Sequence, residues 1–551
     1  MEYRLKINDS HKHFISFSVK INVKELSSIN LQLPSWRPGR YELGDFAKNI
    51  KSFKVFNLER AVLGFKKLTK DSWQIENIEK EDFVLVEYDY FANTLNAGST
   101  LLNENQLYLN PVNCFIYNPN SPNDSCMIYL DVPSSYKTVT SLSLNEDGSY
   151  VADSFDELAD SPIISSETVQ QKTLKVSNVN FHFCFQGEIQ PRWDKMFIDF
   201  EKFISYQIKC FGSFPFNDYY FLFQITPHSA YHGVEHHEST VILLGPSYDV
   251  FGKLYNELLG VSSHELYHVW NIKAIRPEEM FPYNFSKENY TELGYVAEGV
   301  TTYMGDRMLF ESGVFSKAQY FNELTKLLKR HYHNDGRKNY SVAASSFDTW
   351  LDGYVAGVPS RKVSIYVEGA LIAFICDARI RNATNNKKSL HDVMRKMYSN
   401  EQKVISYDKE KYKTILEEIS GVLFDDIFND LIYGTADFTP YLELAMEGFG
   451  WSMNQINPIF SSHNYGLKVS NSNGFSKVIG VLDGGAADLS GIVLDDVIHS
   501  VNGFRLTNNF ENWLNYFSET KIVISLERDG ELRRLALEKP TNNRYYDYEI
   551  K

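Results

Sequence analysis

The five residues His264-Glu265-Leu266-Tyr267-His268 constrain this chain more than any other stretch. Residues four apart lie on one face of a helix, so two imidazoles can share one ion only if this segment is helical and that face borders open space. Zinc accepts such nitrogen ligands, takes a third from elsewhere and keeps a fourth position for water, which Glu265 reaches from beside His264. Apolar residues from Val250 and Phe251 through Leu254, Leu258, Leu259, Leu266 and Val269 recur at helical spacing, and no proline intervenes before Pro277. A long helix over residues 248–270 is therefore predicted. The competing reading is an amphipathic helix whose histidines face the core or solvent.

A second helical segment is predicted over residues 290–303. Glu298 lies on its apolar run, where an unpaired carboxylate would be costly to bury, so a nearby cation or a cleft is expected there and Glu298 is taken as the third ligand. Glu292 competes, but its place near the helix start suits a capping or solvated role. Asn271, Thr301 and Thr302 are the polar neighbours available to orient the imidazoles.

The string HELYHVWNIKAIRP at residues 264–277, followed by Ala297-Glu298-Gly299, resembles the glycyl aminopeptidase family of zinc metallopeptidases, within the gluzincin group. The resemblance implies a thermolysin-like α+β catalytic domain with a helical lobe, one zinc ion per chain and peptide substrates. It extends to Gly233-Val234-Glu235-His236, similar to the strand that borders substrate in related aminopeptidases, with Glu235 implied to hold the free amino terminus; a separate metal site or a solvated His-rich loop is the other reading. Tyr366, just before the Gly369 helix, matches the tyrosine that donates to the oxyanion in related enzymes, although a structural role stays open. The family's usual lysine two residues later is Glu368 here. Glu265 is then the general base and acid. The segment from Leu33 to Tyr41 also resembles the family, with Trp36 and Arg40 expected to fix a turn or to border the cleft, and Asp348, Trp350 and Tyr354 belong to a family-like loop.

At 551 residues the chain exceeds one ordinary core. The expected architecture is a multidomain α+β protein: an antiparallel β-sandwich-like domain over 1–168, the catalytic domain over 169–455, a PDZ domain over 456–541 and a tail over 542–551, solvated or at an interface. The first part reads as strands, for example His13 to Ile21, Phe83 to Tyr90 and Met127 to Val132. Helices are expected at 317–331, 364–381, 389–398 and 412–419. The PDZ resemblance rests on Tyr465-Gly466-Leu467, Gly484-Gly485-Ala486-Ala487 and Asp496-Val497-Ile498, with Asp495 where glycine is common. Tyr465, Gly466 and Leu467 would border a groove for a peptide carboxyl terminus, or the unit packs on the catalytic domain.

A net charge of −15 and the lack of a basic run argue against nucleic acid and against an anionic membrane surface. No apolar stretch nears the roughly 20 residues of a membrane span. With no signal peptide visible the expected compartment is the cytoplasm, or the periplasm if a leader has been removed. Five scattered cysteines suit free thiols, with a Cys114–Cys126 bridge as the oxidised alternative. The leading expectation is a zinc aminopeptidase favouring Gly or Ala, the last preference being implied by the resemblance alone. The alternatives are a zinc endopeptidase, or a PDZ-bearing scaffold that keeps an inactive peptidase fold.

Overall fold

The computed structural model describes residues 1–355, 357–398 and 404–551. Period-two alternation shapes the N-terminal part: Phe14–Asn22 and Phe83–Phe91 each bury every second side chain and pair antiparallel, Phe14 opposite Phe91 and Asn22 opposite Phe83. They lie inside an eight-stranded sheet whose described pairs are antiparallel except for Glu2–Ile7, which runs parallel to Cys126–Asp131. A three-stranded sheet formed by Ser28–Gln32, Ser72–Glu76 and Phe65–Thr69 shares its core, with Phe17, Trp73 and Val86 at the centre.

The next part begins with a five-stranded mixed sheet of β1 (Gln170–Val176), β2 (Val179–Gln186), β3 (Asp218–Ile225), β4 (Ala230–Glu235) and β5 (Ser239–Gly245). Its order is β1-β2-β3-β5-β4, so β4 is an edge strand, antiparallel to β5. One face is covered by apolar residues of the N-terminal part, where Tyr108 and Ile164 meet Leu222, Val234 and Val241. The other packs on α1 (Trp193–Phe211), through Phe183, Phe200 and Phe221, and on α2 (Tyr255–Tyr267). Helix α2 is shorter than its apolar pattern predicts: residues 247–249 form a separate 3-10 turn and the chain winds between. A π-helical turn over Tyr295–Val300 runs directly into α3 (Thr301–Glu311), followed by α4 (Lys317–Tyr332) and α5 (Ile365–Ala383).

The C-terminal unit has its own core around Leu467, Val478, Ile498 and Leu526. Its sheet starts at an edge strand, β6 (Leu467–Ser472), and continues through β7 (Phe475–Val481), β8 (Val497–Val501), β9 (Ile522–Arg528) and β10 (Glu531–Leu537), with α6 (Phe510–Tyr516) packed alongside. The last residues return to the central part of the chain: Asp547–Ile550 pairs with Met453–Ile456, and Tyr548 stacks on Tyr332 at 4.4 Å. That end is therefore packed at an interface. All five cysteines are free thiols, and among the described residues no helix is long and apolar enough to cross a membrane.

Candidate active site

Helix α2 presents His264 and His268 one turn apart, with their Nε2 atoms 3.1 Å from each other. Glu298 Oε2 lies 3.8 Å from the first and 3.4 Å from the second. Ligands on a tetrahedral zinc at about 2.05 Å are spaced by about 3.3 Å, so this donor set fits zinc in both chemistry and spacing. His268 Nδ1 donates to the Asn271 carbonyl at 2.8 Å; a carbonyl only accepts, which leaves the Nε2 lone pair directed at the ion site. The Asn271 side chain donates in turn to the Val296 carbonyl at 2.8 Å and to Thr301 Oγ1 at 2.9 Å, tying the end of α2 to the turn that carries Glu298. Thr302 lines the cleft, and Glu292 is exposed.

Glu298 sits on the π-helical turn, a geometry that recurs where a side chain must be aimed. Gly299 and Gly369 allow that turn and α5 to touch: a Cβ on Gly299 would stand 2.3 Å from Gly369 Cα. The contact brings Glu298 and Tyr366 to the same cleft, a space of about 1130 Å³ that both line with His264, Glu265 and His268. Burial alone would raise the Glu298 pKa, but His268, His264 and the Tyr41 hydroxyl outweigh it and hold the carboxyl below its usual range. His264 is pushed down to about 3 by burial, with His268 adding and Glu298 opposing. Burial lifts Glu265 well above the usual carboxylate range; His268 opposes this, and Glu235 and Glu298 add to it.

Edge strand β4 lies against the base. Glycine at position 233 leaves room for the Glu265 carboxylate as it stands, since a Cβ there would fall 2.1 Å from Glu265 Oε1 and push that side chain aside. Two residues on, Glu235 is buried with Oε1 unpaired, and its carboxylate, that of Glu265 and a His268 nitrogen lie within 4.8 Å of one another. Val234 points to the opposite face, into the apolar layer with Leu222 and Val241. His236, expected beside the substrate, is instead turned to Asp160 at 3.0 Å and does not line the cleft, because it follows the end of β4 where the chain bends back to Ser239. Glu368 also faces away, bonded to His331 Nδ1 at 2.7 Å, so the family's lysine position is used here for an internal pair.

Part of the site was not foreseen in the sequence. Tyr41 donates its hydroxyl to Glu298 Oε1 at 2.9 Å from the N-terminal part. The same loop places Gly39 and Arg40 on the cleft and buries Arg37 with Nη2 unpaired, close enough to Glu235 for their charges to interact. Trp36 anchors the loop: it packs edge-on to Tyr283 and Trp350 and donates its indole N–H to the Asn284 carbonyl at 2.8 Å. Asp348 pairs with Arg361, and Tyr354 lines the cleft near Tyr366. One tyrosine among 35 carries no local pattern, so a neighbour 257 residues away was not readable. In the C-terminal unit, Tyr465 and Leu467 are buried in its core and Gly466 takes a left-handed turn, φ 68°, at the entrance to β6.

Residues 2–167 match the Peptidase M61 N-terminal domain, and residues 257–372 match the M61 glycyl aminopeptidase domain. The chain carries Peptidase M61 family domains. These M61 domains support a metallopeptidase, and the second spans His264, Glu265, His268, Glu298 and Tyr366. The crystal structure of an aminopeptidase N family protein from Idiomarina loihiensis shares the fold over 100% of this chain and 98% of its own, with a TM-score of 0.92 at 24% identity. An M1 zinc metallopeptidase from Deinococcus radiodurans is more loosely similar, with a TM-score of 0.46 and 11% identity over 76% of this chain and 90% of that one. No curated protein matches the sequence.

Proposed function

We propose that the M61 chain is a zinc aminopeptidase that removes N-terminal residues from peptides, with one zinc held by His264, His268 and Glu298. The observation that carries this reading is the unpaired Glu235 carboxylate, within 4.8 Å of Glu265 and His268 at the end of an edge strand. A substrate ammonium at hydrogen-bond distance, about 2.8 Å, from Glu235 leaves room for one residue before the scissile carbonyl. An extended peptide adds to the free edge of β4, which aligns its backbone with Glu265.

A bound zinc would polarise the scissile carbonyl and acidify the attacking water. Glu265 takes the proton from that water and delivers it to the leaving amine, a role suited to a carboxyl whose pKa is raised by burial. Tyr366 donates its hydroxyl to the developing oxyanion, and such donors contribute about 2–4 kcal/mol. Tyr354 and Tyr366 line the cleft beside Glu298, and the preference for Gly or Ala as the first residue is carried over from the resemblance to the glycyl aminopeptidases. The C-terminal unit is read as PDZ-like, and Asp495 supports this: it adopts φ 69° where such units commonly have glycine.

The test is hydrolysis of free and N-acetylated aminoacyl substrates by the zinc-loaded chain, with Glu265→Gln and Glu235→Ala beside it. Turnover restricted to free amines, lost in both variants, is expected. Cleavage of the acetylated substrates would instead make the protein an endopeptidase, and inactivity on every substrate would leave a scaffold.

A further inference from the structure

A second cavity, of about 650 Å³, adjoins the cleft and shares Lys326, Arg330 and Ser364 with it. Strand β4 runs from Glu235, past Gly233 at the base, to Tyr231, whose hydroxyl is near enough to act on the charge of Arg330. On α4, Lys326 and Arg330 lie one turn apart on the same face with Lys329 beside them, and His333 caps the end of the helix. The far wall belongs to the C-terminal unit: His463, Lys468, Val469 and Asn471, the last three on β6, the sheet's terminal strand.

Charges in this cavity are unevenly matched. Lys326 pairs with Glu323 at 2.8 Å and Lys329 with Asp547. The two carboxylates in the lining are committed elsewhere, Glu368 to His331 and Glu511 to the Ser462 backbone and hydroxyl. Arg330 and Lys468 have no carboxylate partner among the described residues. Lys468 donates to the His333 carbonyl at 3.2 Å and lies 4.3 Å above the Tyr545 ring, while burial presses its pKa to about 8. His463 Nδ1 is buried without a partner. His333, His463 and Asp547 are close enough to suggest a cation site, but Asp547 already carries Lys329 and the His333 Nε2 faces the Tyr546 carbonyl at 2.7 Å. The surplus charge is positive and the missing group is an anion.

We propose that this cavity holds the C-terminal carboxylate of the peptide being trimmed, between Arg330 and Lys468, so that the preferred substrates are short peptides with a free carboxyl end. The inference rests on the aminopeptidase reading of the cleft. From Glu235 to Tyr231 is about 13 Å of strand, the length of about four extended residues, and the cavity lies beyond it, so a peptide of about five or six residues is needed to reach the cations. A terminal carboxylate is the anion that every unblocked peptide carries, and here it would meet the cations at a fixed distance from the amine site.

The experiment compares kcat/KM for a series Gly-(Ala)n, n from two to seven, as free acids and as C-terminal amides, with glycyl 4-nitroanilide as a substrate that lacks the distal part. The acid is expected to be favoured about tenfold at five or six residues, the usual worth of one charge-assisted contact, and not at three. That ratio should fall to about one in Lys468→Gln and in Arg330→Gln, and Lys468→Arg should keep it. Equal rates for acid and amide at every length overturn the proposal. So does an amidated hexapeptide ending in Asp that is cleaved as well as the acid, since an acidic side chain would then be the true occupant. Failure to cleave even the nitroanilide would sink the aminopeptidase reading itself.

Discussion

Helix α2 delivers two ligands and a base within five residues, whereas the facing wall of the cleft is lent by a loop from another part of the chain. On α2 the geometry follows from helix pitch: once the segment is helical, His264 and His268 must align. On the loop nothing is fixed locally. Arg37, Gly39 and Tyr41 reach Glu235 and Glu298 only because Trp36 is packed against Tyr283 and Trp350, and because Asp160 of the N-terminal part bonds Lys273 at 2.8 Å just beyond α2. The first wall is encoded by spacing and the second by docking. Substitutions on α2 should therefore remove chemistry and spare the fold, and substitutions at the docked wall should act through stability and alignment.

The largest effect expected is on α2. Glu265→Gln should lower kcat by about 10³-fold, the middle of the range for losing a general acid–base group, with metal content unchanged in elemental analysis. Glu298→Ala should instead release the metal. A Glu265→Gln protein that also lost metal would blur the contrast, because the base would then be part of the ion's support.

Next comes the tie between the parts. Asp160, Lys273 and His236 form a buried set, and removing one member strands a charge, so Asp160→Asn should cost about 3 kcal/mol in chemical denaturation. Burial alone would raise the Asp160 carboxyl, but Lys273 and His236 outweigh it and hold the carboxyl far below its usual range. A folded pKa below the unfolded one gives stability that is fully present above about pH 4 and is lost as pH falls further. The wild type should thus weaken more steeply below pH 4 than Asp160→Asn does. Parallel curves would mean that the pair does not secure the docking.

Gly233 joins the two walls. Gly233→Ala forces a methyl into the Glu265 carboxylate, and a shift of about 1 Å in a catalytic group costs about 10²-fold. The loss should appear in kcat, with zinc retained.

What could be read in advance follows the same division. Helix α4 and the strands around Phe14 and Phe83 carry strong periodicity and α5 is a long apolar run, and their observed bounds fall within a few residues of expectation. The meeting of His264, His268 and Glu298 was legible because the short motif fixes the two histidines and the buried carboxylate needed a partner. Helix α2 proved shorter than its apolar pattern because Val250 and Phe251 are buried on a winding segment before it, and burial without helix gives the same sequence signal. His236 faces away from the cleft because it is the first residue past β4 and is oriented by the turn that returns to Ser239. Tyr41 and Lys273 owe their roles to partners far away in the chain, which no local pattern records.

The smallest effect expected is also the sharpest test of docking. Tyr41→Phe removes only the hydroxyl that bonds Glu298 Oε1 and leaves the buried ring in place. Partners of metal ligands typically contribute 10–100-fold in affinity, and a single neutral hydroxyl belongs at the low end, so zinc should bind about tenfold more weakly. With zinc in excess kcat should recover, since the hydroxyl orients a ligand and touches no reacting atom. If Tyr41→Phe binds zinc as tightly as the wild type, Glu298 is held by its π-helical turn alone, and the N-terminal loop shapes the pocket without supporting the ion.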